Sequence, residues 1–166
     1  MIRDLFHPLE DETDIKIGRE LEIGKAAEYL VCADLILKGY RAFLTDQGLP
    51  YDIVLDHNNK FYRIQVKGTM RPRPVPDRPG SAYSYFFNTR RAGKRGTRTI
   101  KDSTFDILAL VALDIKVIAY IHMNKNVLQC ISLRNPANTS KHANRTNGNI
   151  DCFPIEKLLK PPENGK

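Results

Sequence analysis

The chain has 166 residues, 42% hydrophobic and 27% charged, with 26 Lys and Arg against 19 Asp and Glu, a formal net charge of +7. Length and composition suit one soluble globular domain, long enough to bury roughly two thirds of its unfolded surface. The longest apolar stretch, residues 107–112, is followed closely by Asp114 and Lys116 and falls well short of a membrane span, while three cysteines at irregular spacings argue against a disulfide framework.

Residues 1–14 are polar and acidic and read as a lead-in with no apolar core of a signal peptide. Together with the reduced cysteines this sets a cytoplasmic expectation, nucleoid-associated if the source is prokaryotic, with no membrane partner. Asp14 is placed to cap a long helix running to Lys38, with Gly39 as its left-handed stop. Three strand-like runs follow at 41–45, 51–56 and 60–68, and His57-Asn58-Asn59 separates the last two as a hairpin signal. Residues 71–80 (RPRPVPDRPG) hold four prolines and read as a stiff exposed loop. An aromatic-rich strand is expected at 81–88 and a glycine-containing basic loop at 89–101. Strands at 105–114, 116–123 and 126–133 come next, then a polar stretch from 135 to 149 and a short helix at 155–159 with Pro154 in its first turn. This order implies an α/β domain over residues 1–166. Its central mixed sheet would be flanked by helices, with basic insertions at 70–80 and 89–101 and a polar C-terminal region at 135–166.

The charge is unevenly spread. Residues 60–101 carry twelve Lys or Arg and one acid, Asp77, leaving 14 basic against 18 acidic residues elsewhere. A basic block inside an otherwise slightly acidic chain points to a polyanion partner or to a solvated arginine-rich loop.

Side chains alternate along a strand. In the run before the hairpin, Asp52 shares a face with Val54 and Asp56. In the run after it, Arg63, Gln65 and Lys67 share the face opposite Tyr62, Ile64 and Val66. Ordinary hairpin pairing therefore brings Asp52 beside the Gln65/Lys67 end. On the long helix, Leu21, Gly24, Val31, Cys32 and Leu35 lie three, four or seven positions from Glu28, which puts this carboxylate on the face that should pack on the sheet. A buried charge needs a partner or a metal, so Glu28 is either half of a structural ion pair or part of a site. Carboxylate and amide oxygens suit a hard cation such as Mg2+, and a lysine beside that cation can orient a water for attack on a phosphodiester.

These residues resemble the PD-(D/E)XK nuclease superfamily. The features that carry the resemblance run from Gly24-Lys25-Ala26-Ala27-Glu28 with Leu35 and Gly39-Tyr40, through Pro50-Tyr51-Asp52, to Gln65-Val66-Lys67. Residues 105–109 followed by 118–121 resemble the family's later paired strands. The resemblance implies a restriction-endonuclease-like core and a Mg2+-dependent endodeoxyribonuclease, with Mn2+ as substitute metal. It assigns metal binding to Glu28, Asp52 and Gln65 with the carbonyl of Val66, and positioning of the attacking water to Lys67. Gln65 departs from the family's usual acid, and a neutral amide should weaken metal affinity. A QxK variant occurs in an intron-encoded homing endonuclease of this superfamily. That implies sequence-specific double-strand cleavage of homing type by a homodimer or homotetramer. A branched-DNA (Holliday-junction) resolvase and a catalytically inactive DNA-binding module are the alternatives.

For DNA, Arg71, Arg73 and Arg78 in the first insertion and Arg90, Arg91, Lys94, Arg95 and Arg98 in the second are the expected contacts. Tyr83, Tyr85, Phe86 and Phe87 could stack on bases, but core packing explains them more cheaply. Cys130, His142, Cys152 and His122 lack zinc-site spacing. The stretch 140–149 faintly resembles an HNH element without that motif's spacing, and reads better as a loop.

Overall fold

A computed structural model describes residues 19–46, 48–76, 78, 80–89, 91–93, 96–98, 104–123, 130–137 and 148–160. Helix α1 spans Arg19–Leu37, rich in Leu, Ala and Glu, with Glu20 and Glu22 in its first turn where the helix dipole favours acids. The expected cap at Asp14 lies outside the described residues. At the other end the amides of Gly39 and Tyr40 donate to the carbonyls of Ile36 (2.9 Å) and Leu35 (3.0 Å), with Gly39 at φ 85°. This paired closure requires a left-handed residue, which is why the stop is glycine, and it sets buried Tyr40 against Leu35.

Strands β1 (Arg41–Leu44), β2 (Ile53–His57), β3 (Lys60–Thr69), β7 (Ile107–Ala112) and β8 (Val117–His122) form a five-stranded sheet in the order β1-β2-β3-β7-β8. All its pairings are antiparallel except β3 with β7, so the α/β class with a mixed central sheet holds. The hairpin between β2 and β3 is tighter than the three-residue separator. His57 pairs with Lys60, and the turn is Asn58-Asn59 with φ 51° and 59°, the doubly left-handed pair that fits the twist of a two-residue hairpin.

Every residue of β7 is buried, and alternation divides them between two cores. Ile107, Ala109 and Val111 join Ala27, Val31 and Leu35 of α1, with Ile53, Leu55, Ile64 and Val66. Leu108, Leu110 and Ala112 join Tyr85, Phe87 and Leu133 from a second, two-stranded sheet, β4 (Ser84–Asn88) with β9 (Cys130–Arg134). Full burial of each such Leu, Ile or Phe contributes about 1.5–3 kcal/mol. The sheet thus has α1 on one face and β4–β9 on the other.

Several elements depart from expectation. The basic loop at 89–101 contains an antiparallel ribbon, β5 (Arg91–Gly93) with β6 (Gly96–Arg98), in which Arg91 stands opposite Arg98. The expected C-terminal helix is a 3-10 turn, Ile155–Lys157, and Pro154 stands just before it with extended backbone. A second 3-10 turn, Ile150–Cys152, buries Ile150 just past the polar stretch 135–149, inside the C-terminal region expected to be polar. Residues 124–129 and 138–147, which include the start of the strand expected at 126, His142 and most of the HNH-like stretch, lie outside the described residues. Tyr85 and Phe87 are core, Phe86 is half-buried and Tyr83 is exposed. Among the described residues no helix is long and apolar enough to cross a membrane.

Candidate active site

Asp52 stands on a bend immediately before β2, yet its backbone is held as firmly as a strand residue. Its amide donates to the Ile64 carbonyl (2.8 Å) and its carbonyl accepts from the Thr45 amide (3.0 Å), extending the ladder by one step on both sides. Thr45 Oγ1 also donates to the Tyr51 carbonyl at 2.8 Å. The side chain then turns onto β3, where Asp52 Oδ2 accepts the Val66 backbone N–H at 2.7 Å and a hydrogen bond from Gln65 Nε2. A carboxylate can only accept, so the amide must present its nitrogen to Asp52, which leaves Oε1 as its acceptor end. Gln65 is buried, and its Nε2 also lies 3.4 Å from the Val66 carbonyl. Lys67, half-buried, follows two residues along on the same face of β3.

Glu28 arrives from α1. The buried stripe of that helix is Ala27, Val31 and Leu35, with Glu28 half-buried on its flank. Leu21, expected on the same packed face, is 85% exposed, because the stripe follows the i, i+4 series from Ala27 and has drifted away from the first turn. Glu28 Oε2 accepts from Lys25 Nζ at 2.7 Å. The Lys25 ammonium is held above the ordinary lysine range, chiefly by that hydrogen bond and in smaller part by the charges of Glu28 and Asp52. Lys25 therefore stands within electrostatic reach of both acids. The structure joins Asp52, Gln65 and Val66 directly, and the hydrogen-bonded partner it gives Glu28 is Lys25, where Lys67 or an arginine was the expected structural partner.

Glycine 68 explains how the helix comes so near. A Cβ built there would stand 2.7 Å from Ala27 Cβ and 3.5 Å from the Ile23 carbonyl oxygen. Only a residue without Cβ lets α1 lie this close to β3, one position beyond Lys67 and one before Glu28. Lys25, inside the motif that carries the family resemblance, and Gly68, at the end of the 60–68 run, had no role assigned from the sequence. Both carried a signal, a lysine one turn before the inward acid and a glycine inside a strand, where close backbone approach is a standard reason for it.

Two carboxylates, one carboxamide and a backbone carbonyl would make an all-oxygen donor set of the kind that suits a hard dication retaining waters. Among the described residues no three His, Cys, Asp or Glu gather as a group that could hold a metal. Cys130 is exposed and Cys152 half-buried, neither in such a group.

Next to Gln65 on its face of β3, Arg63 meets Asp106, just ahead of β7. Asp106 Oδ2 accepts from the Arg63 amide (2.8 Å) and Nε (3.1 Å), and Oδ1 from a terminal guanidinium nitrogen (3.0 Å). Of the expected DNA contacts, Arg71, Arg73 and Arg78 are exposed on the proline-rich segment, which is tied to β4 by reciprocal backbone bonds between Arg73 and Ser84 (2.8 and 2.9 Å). Arg91 and Arg98 lie on β5 and β6. Arg90, Lys94 and Arg95 are outside the described residues.

The family model for PD-(D/E)XK endonucleases matches residues 20–151. Nucleases of this kind generally use divalent metal ions. Among solved structures, a bacterial homing endonuclease, I-Ssp6803I, matches with a TM-score of 0.57 at 15% identity, over 75% of this chain and 84% of that one. A search of curated proteins gives no match.

Proposed function

The chain belongs to the PD-(D/E)XK endonuclease family, and from that premise we propose that it is a Mg2+-dependent DNA endonuclease making sequence-specific double-strand cuts of homing type. One observation carries the reading: the Asp52 carboxylate is fixed on the Gln65 amide and the Val66 N–H at the point where β3 next presents Lys67. Asp52, Gln65 through Oε1, Glu28 and the Val66 carbonyl would hold the cation. Bound there, the dication would supply Lewis-acid polarisation of the phosphodiester and stabilisation of the departing oxygen.

The protein's own groups supply the rest. Lys67 holds an ammonium where it can orient the attacking water and offset charge building on the phosphate. Gln65 keeps Asp52 oriented without adding a third negative charge, which lessens repulsion within the site and toward the phosphate backbone. Arg71, Arg73 and Arg78, with Arg90, Arg91, Lys94, Arg95 and Arg98, would grip the DNA, phosphate contacts setting affinity and a few base contacts setting specificity.

The domain is read as residues 1–166, acting in the cytoplasm as a homodimer or homotetramer, since a double-strand cut needs two sites. The test is cleavage of a long duplex library and of a four-way junction in Mg2+ or Mn2+. Fragments with defined ends from the duplex are expected. Preference for the junction regardless of sequence would favour a resolvase, and binding without cleavage of any substrate would leave a DNA-binding module.

A further inference from the structure

Asp52 is held at the Gln65 end of β3, Glu28 stands half-buried on the flank of the helix that packs against that strand, and acids that share a site need a counter-charge when no metal is present. Lys25 supplies it for Glu28: its Nζ is 2.7 Å from Glu28 Oε2. The pair is partly exposed, with side-chain exposures of 39% for Lys25 and 21% for Glu28. An i, i+3 pair at this exposure is weak and therefore easily exchanged. An ammonium and a dication both draw on the same carboxylate oxygen, and one lone pair cannot serve both at full strength.

We propose that Lys25 is the resident counter-cation of this site: it holds Glu28 in the metal-free protein and competes with the divalent metal for that carboxylate, so that metal binding must release it. This rests on the metal-dependent reading above. With Gln65 in place of an acid, the inner groups Glu28, Asp52, Lys25 and Lys67 sum to zero charge. The metal-free site is thus neutral at the point where the DNA backbone must approach.

Isothermal titration with Mn2+ alone, without DNA, tests it on the full chain. Lys25→Met should tighten Mn2+ binding by about two- to fivefold, the range that such a pair implies. Lys25→Arg, which keeps a cation within reach of Glu28, should stay near the parent. In a Glu28→Gln background the Lys25→Met effect should disappear, because the contested carboxylate is gone, whereas a general effect of lost positive charge would persist. Equal or weaker Mn2+ binding by Lys25→Met, or an undiminished effect in the Glu28→Gln background, overturns the proposal alone. No Mn2+ binding by the parent protein overturns both the proposal and the metal-dependent reading. Lys25 is partly exposed on the helix surface, so the melting temperature of Lys25→Met should stay near that of the parent.

Discussion

Two aspartates stand just outside the strands that flank β3, Asp52 before β2 and Asp106 before β7, and each is met by a residue on the same face of β3. Asp106 meets Arg63 through a backbone amide and two guanidinium nitrogens, and this holds its carboxyl below the usual aspartate range, the side-chain hydrogen bond being the largest cause. Asp52 meets Gln65 and the Val66 amide. The first contact matches charge with charge and pins β3 to the start of β7. The second orients a carboxylate through two neutral donors. Two positions along one strand, arginine or glutamine, separate a fastener from a candidate site.

The largest effect should come from the site side of that contrast. Lys67→Ala should lower Mg2+-dependent plasmid cleavage by roughly a hundredfold or more while DNA affinity in a gel-shift titration stays largely unchanged; parallel loss of both would assign Lys67 to binding. Next is the close approach that brings α1 to the site. Gly68→Ala forces a Cβ to within 2.7 Å of Ala27 Cβ and should cost about 1–3 kcal/mol in urea unfolding. Adding Ala27→Gly should recover part of that, so the double variant loses less than the two singles summed. Strict additivity would mean that the two residues do not set the helix–strand distance.

The fastener should show the smaller effect, with its own pH signature. Asp106→Asn should cost about 1–2 kcal/mol at neutral pH, discounted because the pair is partly exposed. The carboxyl is depressed in the folded state, so its contribution is complete above the unfolded aspartate pKa of about 3.9 and fades as pH falls through the lower folded value. The stability difference between parent and variant should therefore shrink only below about pH 4. A difference that persists unchanged at pH 2 would separate Asp106 stability from its charge.

Much of this contrast was legible in the sequence, because strand alternation and a hairpin turn are local. They brought Asp52 to Gln65, with Lys67 two residues further along that face, and a hairpin turn at His57-Asn58-Asn59 (one residue longer than the observed turn), the Gly39 stop and the mixed sheet followed from the same kind of pattern. What local pattern could not supply was distance between elements. The drift of the α1 stripe that leaves Leu21 in water and the Gly68–Ala27 contact both depend on how the helix lies across β3. The Arg63–Asp106 pair joins residues 43 apart in sequence, and no periodicity relates them. The β5–β6 ribbon was hidden because its strands are three residues each, too short for alternation to register.

The central claim is that Asp52 and Gln65 together hold a divalent cation, and Mn2+ titration of the parent, Asp52→Asn and Gln65→Glu proteins tests it most directly. The parent should bind, Asp52→Asn should lose most of that affinity, and Gln65→Glu should bind about tenfold more tightly, or roughly 1.4 kcal/mol. Gln65→Glu should also melt lower than the parent without metal, where two carboxylates would face each other in place of an amide and an acid. Undiminished binding by Asp52→Asn, with Gln65→Glu equal to the parent, would place the cation elsewhere and contradict the account.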